Sequence, residues 1–141
     1  TNNGWENDQG GGLEDIGAIQ AIHLMLIQTI DTALVLFPAW PVDSSVSFTQ
    51  LRAAGAFLVT ASWDHGEVVS PFHVTSLAGA ELVLAKPWSK VCVQHSSSRG
   101  DQVAGQILVK DRVGRGLPDV DPHGRLTVKT VKDQHYALFK C

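Results

Sequence analysis

The sequence is poor in the residues that define several common classes of small protein. Only two cysteines and one methionine occur in 141 residues, and charged residues make up 18% of the chain. Two cysteines are too few for a disulfide-rich scaffold, and no apolar run is long enough to form a transmembrane helix. The net charge of -3 argues against nucleic acid and an anionic membrane as main partners, because neither attracts a negative surface.

No residue pattern predicts a cofactor. The six histidines are scattered and show no zinc-site spacing. The glycine triplet at residues 10–12 is not a phosphate loop, because no Gly-Lys-Ser/Thr follows it. Asp119 and Asp121 start a pattern that resembles a calcium loop, but its twelfth position holds Thr130 instead of glutamate. We therefore predict no cofactor and interpret Asp119 and Asp121 as a proline-glycine turn, with calcium binding as the alternative.

Cys92 and Cys141 leave two alternatives open. As a disulfide they close a loop of about 50 residues, which stabilises the fold by about 4 kcal/mol through chain entropy. Such a bond attaches the C-terminus to the body, as expected of a secreted protein. The alternative is two unpaired thiols.

The first part of the chain predicts an arm followed by one helix. Residues 1–12 are polar, rich in glycine and asparagine and without periodicity, which is typical of a flexible arm. Apolar residues then recur at spacings of three and four over residues 16–30, so we predict a helix over residues 13–31. The apolar surface of this helix is wide, and we expect the sheet or another chain to cover it.

The sequence pattern of the rest of the chain, residues 32–141, predicts an antiparallel β-sandwich. Short apolar or alternating runs are separated by turn sequences at regular spacing. The Asp-His-Gly sequence at residues 64–66 predicts a hairpin, because glycine accepts positive φ. We also predict a final hairpin, with residues 126–131 and 135–139 pairing across residues 132–134. The expected fold class is mainly β, an antiparallel β-sandwich with one N-terminal α-helix packed against it.

Three stretches of the sequence carry a family resemblance. GGGLEDIGAIQAIHLMLIQT (residues 10–29), LVLFPAWPVDSSVSFTQLRAAGAFLVTASWDHGEV (residues 34–68) and AGAELVLAKPW (residues 78–88) resemble the C-terminal part of family-95-like glycoside hydrolases. The resemblance implies the last helix of a catalytic α/α barrel, a link of the type L-x-L-F-P-A-W-P and a small β-sandwich domain.

The same resemblance identifies Glu14 as the one candidate for a catalytic role. Inverting glycoside hydrolysis needs two groups, roughly 6.5–9.5 Å apart, on opposite faces of the sugar. The family pattern I-N-E-M-L-L-Q-S inside the helix reads I-H-L-M-L-I-Q-T here, so its acidic residue is absent. The glycine-rich stretch with Glu14 is either a sugar-binding loop or a flexible lead-in with a negative charge at a helix start.

Flat aromatic faces suit the C–H faces of sugars, so tryptophans are candidate contacts. Trp5 lies in a polar arm with nothing local to pack on, and we predict that it contacts a ligand or a neighbouring chain. Trp40 is a second candidate for sugar contact, with packing beside Pro41 in a domain junction as the alternative. Together with Glu14, these tryptophans form the predicted contact set.

Two functional hypotheses follow. In the first, the chain is an extracellular, non-catalytic module, either carbohydrate-associated or structural, derived from the C-terminal region of a glycosidase. It assembles into an oligomer or filament through its helix and N-terminal arm. In the second, it is the C-terminal fragment of an active fucosidase- or galactosidase-type enzyme and works only with the upstream barrel. We prefer the first, because the chain holds no acid/base pair.

Overall fold

A computed structural model describes residues 11–96, 109–112 and 122–141, with side chains for residues 17–96 and 122–141. Two β-sheets face each other behind one N-terminal helix, α1 (Gly11–Leu26). The strands are β1 (Ile27–Ile30), β2 (Ala33–Leu36), β3 (Ser45–Ala53), β4 (Phe57–Asp64), β5 (Glu67–Val68), β6 (Phe72–Ser76), β7 (Glu81–Ala85), β8 (Val91–Ser96), β9 (Val109–Arg112), β10 (Arg125–Lys129) and β11 (Gln134–Lys140).

The prediction of a mainly β sandwich is confirmed. The five-stranded sheet has the order β1-β2-β7-β10-β9, and the six-stranded sheet has the order β3-β4-β6-β11-β8, with β5 paired to β4. The pairs are antiparallel except β2 and β7, which run parallel. Along β4, buried residues alternate with half-exposed ones, because successive side chains point to opposite faces of a strand. The buried faces of both sheets form one core, with these members at its centre: Leu34, Leu84, Val128, Val59, Val74 and Leu138.

The hairpin predicted at residues 64–66 is also confirmed. Asp64 pairs with Glu67 across a two-residue turn, in which His65 has φ 44° and Gly66 has φ 96°. Positive φ at both central residues is the requirement of the turn type that matches the twist of two paired strands. This hairpin joins β4 to β5 and presents Trp63 and Glu67 at one end of the sandwich.

The helix is shorter than predicted. It ends at Leu26, and residues 27–30, which we assigned to it, form β1 and pair with β2. The backbone N–H of Phe37 donates to the Leu26 carbonyl at 2.7 Å and so satisfies a carbonyl that the helix end leaves free. β-Branched residues at positions 27, 29 and 30 favour a strand, and pairing with β2 makes this segment a strand instead of a last helical turn. The sandwich therefore begins at Ile27, before the predicted boundary at residue 32.

Of the two covers predicted for the helix, the sheet or another chain, the sheets leave most of its described residues uncovered. Ile19 is 67% exposed and Ile22 is 50% exposed, and Leu24 is exposed as well. Leu26 alone among the described helical residues joins the core. The cause is geometric, because β1 starts directly after Leu26 and extends along the edge of the five-stranded sheet, so the helix is attached by its last turn. Among the described residues, no helix is both long enough and apolar enough to cross a lipid bilayer.

The predicted final hairpin does not exist. β10 pairs with β7 and β9 in the five-stranded sheet, whereas β11 pairs with β6 and β8 in the six-stranded sheet. The chain therefore crosses from one sheet to the other between residues 129 and 134. Both strands bury apolar residues on the shared core, and the local sequence is the same for a hairpin and for a crossing. The rest of the fold decides which strands lie beside β10 and which lie beside β11.

Cys92 and Cys141 form a disulfide, with a Cα–Cα distance of 5.8 Å. Cys92 lies in β8, opposite Phe139 of β11, and Cys141 follows the end of β11. Pairing of the two strands thus brings the sulfurs together. Of the two alternatives that the sequence left open, the structure contains the bridge.

Candidate functional site

A cavity of about 560 Å³ opens at one end of the sandwich. Two of its walls cross between the sheets, the link between β2 and β3 and the loop between β7 and β8. The other walls are the turn between β4 and β5 and the end of β11, both in the six-stranded sheet. The parallel pairing of β2 with β7, and the antiparallel pairing of β11 with β6, bring these ends together. We call it the tryptophan cavity, because Trp40, Trp63 and Trp88 all line it. Its volume lies in the usual range for small-molecule sites, about 300–1,000 Å³.

Two of the three tryptophans are anchored by their indole N–H groups. Trp63 Nε1 donates to the Pro41 carbonyl at 3.0 Å, and Trp88 Nε1 donates to the Val68 carbonyl at 3.1 Å. The first bond attaches the proline-containing link to β4, and the second attaches the loop after β7 to β5. Phe37 packs against Trp63 with ring centroids 5.5 Å apart. The cavity wall is therefore tied to the core at two points.

Trp40 differs from the other two tryptophans. Its ring is half-buried, and its Nε1 atom is buried without a hydrogen-bond partner among the described residues. A buried N–H without a partner costs about 1–3 kcal/mol. A hydrogen-bond acceptor bound beside Trp40 removes that cost, so this N–H is a candidate donor to a ligand.

Charged and polar groups surround the aromatic wall. Glu67, His123 and Lys140 line the cavity and are exposed to solvent. Lys86 also lines it, is 9% exposed, and donates from Nζ to the Ser89 carbonyl at 3.5 Å. An aromatic wall with a few hydrogen-bonding groups at its rim is the usual composition of a small-molecule site.

A serine, an aspartate and a histidine meet next to the cavity, but their geometry excludes a catalytic triad. Ser45 Oγ donates to Asp64 Oδ1 at 2.6 Å, and His65 Nδ1 contacts the same oxygen at 2.6 Å. Ser45 Oγ also lies 3.4 Å from that same Nδ1. A triad needs the serine and the carboxylate on opposite ring nitrogens. The hydrogen bond from Ser45, followed by that from His65, lowers the pKa of Asp64 below its usual value.

The structure places the predicted site residues very differently. Trp40 lies in the cavity wall. The backbone of Glu14 is in α1, and its side chain lies outside the described residues, as do Trp5, Asp119 and Asp121. Within the described residues no three histidine, cysteine or acidic side chains group in a way that fits a metal ion.

The predicted contact set leaves out three residues that line the cavity, Trp63, Glu67 and Lys140. A signal for the first two was present, because the predicted hairpin at residues 64–66 places Trp63 and Glu67 at the same end of a strand pair. Lys140 had no such signal. It reaches the cavity because β11 pairs with β6 and not with β10.

No protein-family model and no curated protein matches this chain.

Proposed function

We propose that this chain is a non-catalytic, extracellular β-sandwich module that binds carbohydrate in the tryptophan cavity. One observation carries the proposal: the half-exposed rings of Trp40 and Trp63 stand in one cavity wall beside Glu67 and Lys140. The electron-rich face of an indole attracts the C–H groups on the face of a pyranose ring. Carboxylate and ammonium groups at the rim match the hydroxyl groups at its edge.

The carboxylates near the cavity support binding without hydrolysis. A glycosidase needs a general acid with a raised pKa and a second group across the sugar. The pKa of Asp64 is lowered by the hydrogen bond from Ser45, which is the opposite of what a general acid requires. Glu67 lies directly across the turn from Asp64 on the adjacent strand, so both carboxylates approach a ligand from the same side.

The disulfide supports an extracellular location, because such bonds persist in oxidising compartments. Derivation from the C-terminal region of a family-95-like glycoside hydrolase is supported by the order of the parts. The helix, the proline-containing link and the paired strands β3 and β4 occur in the order that the sequence resemblance implies, with β1 and β2 between the helix and the link.

Self-association through α1 is the second part of the proposal. Ile19 and Ile22 are exposed and lie three residues apart, on the same side of α1, and an exposed apolar surface on a helix favours association. The same exposed face favours the rival function, a fragment of an active glycosidase in which upstream helices cover α1.

Glycan-array binding followed by calorimetry tests the carbohydrate proposal. We expect Trp40→Ala to weaken binding of the best saccharide roughly tenfold, equal to about 1.4 kcal/mol. Trp40→Phe, which keeps an aromatic face, is the matched control and retains most of the affinity. Trp5→Ala tests the other predicted contact. Equal affinity in the Trp40→Ala variant and the parent contradicts this site, and turnover of fucosides or galactosides by the chain refutes the non-catalytic proposal.

Sedimentation of Ile19→Glu and Ile22→Glu variants tests the assembly proposal. Both residues are exposed, so these changes leave the free energy of unfolding within about 0.5 kcal/mol of the parent. We expect the oligomer to dissociate in these variants, while Val131→Glu, at another exposed apolar position, leaves it intact. A parent chain that is monomeric at high concentration contradicts self-association. The exposed residues of α1 are then better explained by the rival function, a fragment of an active glycosidase.

A further inference from the structure

A second cavity of about 200 Å³ adjoins the tryptophan cavity. Four residues line both: Glu67, Val68, Trp88 and Lys140. The smaller cavity is completed by residues that the larger one lacks, Asp64, Val69 and Ser70. The two spaces are therefore neighbours along one surface and share a wall.

The shared wall is held in place from several sides. Trp88 is 5% exposed and packs against Phe72, with ring centroids 5.7 Å apart. Its Nε1 atom donates to the Val68 carbonyl. The backbone N–H of Lys140 donates to Ser70 Oγ at 2.9 Å, which attaches the end of β11 to the loop before β6. A wall fixed in this way presents both cavities to a ligand without rearrangement, and such preorganisation lowers the cost of binding.

The two cavities differ in chemistry. The larger has the rings of Trp40 and Trp63, which suit stacking on a sugar face. The smaller has none of those rings and carries the carboxylates of Asp64 and Glu67 beside the Lys140 ammonium. These groups suit hydrogen bonds to hydroxyls, and the two carboxylates repel an acidic sugar.

We propose, on the basis of the proposed function, that the two cavities form one cleft for a neutral oligosaccharide of two or more sugar units. One unit stacks in the tryptophan cavity against Trp40 and Trp63. The adjoining unit lies in the smaller cavity and bonds through its hydroxyls to Asp64, Ser70 or Lys140. A single sugar uses only the first position, so a disaccharide binds more tightly than its monosaccharide.

Calorimetry with galactose, galactobiose and galactotriose, and in parallel with glucose, cellobiose and cellotriose, tests the cleft. We expect one of the two sugar series to bind. Within that series, we expect the disaccharide to bind roughly tenfold more tightly than the monosaccharide. Val69→Trp fills the smaller cavity and is expected to abolish that difference while leaving monosaccharide affinity unchanged. Val131→Trp adds the same side chain at an exposed position that lines neither cavity, and serves as the matched control.

A second variant keeps the test valid if Val69→Trp does not fold. Asp64→Asn keeps the size of an exposed side chain and removes its charge, and we expect it to reduce disaccharide affinity several-fold with no change for the monosaccharide. Equal affinity of the parent for monosaccharide and disaccharide overturns the cleft. An equal loss of affinity for both sugars in either variant does so as well. Each result leaves the tryptophan cavity as a single-sugar site. Absence of binding for every saccharide overturns the proposed function itself, and this inference with it.

Discussion

At the residue scale, a short chain of hydrogen bonds connects the two sheets at the end opposite the cavity. Ser76 is fully buried, and its Oγ accepts from the Gly79 N–H at 3.0 Å. Thr130 Oγ1 donates its one hydrogen to the Ala80 carbonyl, so the 2.8 Å contact between the two hydroxyls is donated by Ser76. These bonds attach the loop after β6 to the crossing between β10 and β11.

Replacing Ser76 by alanine tests that connection. The variant leaves the Gly79 N–H and the Thr130 hydroxyl without their buried partner, and we expect a loss of about 1–3 kcal/mol in the free energy of unfolding. Urea denaturation measures it. Ser47→Ala, at an exposed position in β3, is the control and changes stability by less than about 0.5 kcal/mol. Equal losses in the two variants contradict a role for the buried hydroxyl.

The protonation of Asp64 is also controlled by contacts between single residues. The hydrogen bond from Ser45 and the interactions with His65 keep the pKa of Asp64 below its usual value. A lowered pKa means that the folded state favours the carboxylate. The stability from this group is therefore present above the pKa of an unfolded aspartate, and it is lost as the pH falls through the lowered value, below about pH 4.

The Ser45→Ala variant is expected to raise the pKa of Asp64 towards its usual value. Following the carboxyl carbon of Asp64 by NMR during an acid titration measures the shift directly. Thr49→Ala, at another exposed hydroxyl in β3, is the control. An unchanged titration midpoint in the Ser45→Ala variant shows that His65 alone lowers the pKa.

At the element scale, the turn between β1 and β2 decides where the helix ends. Asp31 and Thr32 have φ of 49° and 66°, values that a two-residue hairpin turn needs and that side chains other than glycine adopt at a cost. Arg125 compensates in part, because its Nη1 donates to the Asp31 carbonyl at 2.8 Å. Pairing with β2 and this contact together hold residues 27–30 as a strand.

A glycine at position 32 is expected to stabilise the protein. Thr32→Gly removes the strain of positive φ at a β-branched residue, and we expect the free energy of unfolding to rise by about 1 kcal/mol. Thermal unfolding measures the change. Thr29→Gly, in β1 two residues before the turn, is the control and destabilises, because glycine weakens a strand. Destabilisation by Thr32→Gly contradicts the strained turn.

At the scale of the whole molecule, the disulfide connects the last residue to β8. The bridge joins residues separated by 49 positions, so it restricts a long segment of the unfolded chain. The cavity depends on the same end of the chain, because Lys140 lines it and bonds to Ser70 next to Cys141. Loss of the bridge therefore affects stability and cavity together.

Replacing both cysteines by serine is expected to lower the free energy of unfolding by about 4 kcal/mol. Urea denaturation of this variant, compared with the parent in the presence and absence of a reductant, measures the effect. The reductant lowers the stability of the parent to that of the variant and leaves the variant unchanged. A parent whose stability is insensitive to complete reduction contradicts the contribution assigned to the bridge.

Much of the strand pattern could be predicted from the sequence because its causes are local. The hairpin at residues 64–66 depends on a glycine that accepts positive φ. Alternation of apolar and polar residues along β4 identifies its buried face. The helix was predicted from apolar spacing, but residues 27–30 fit both a helix and a strand, since Ile27 and Ile30 are three residues apart while β-branched side chains occupy three of the four positions.

The sequence by itself determined that this chain folds as an antiparallel sandwich behind one helix, because burial patterns, turn residues and glycine positions act over a few residues. Only the tertiary structure decided that β10 and β11 lie in different sheets, that the helix face stays exposed, and that Trp40, Trp63 and Trp88 share a cavity. These outcomes depend on contacts between residues far apart in the chain. Their energies come from pairing and burial across the two sheets, and no short stretch of sequence contains both partners.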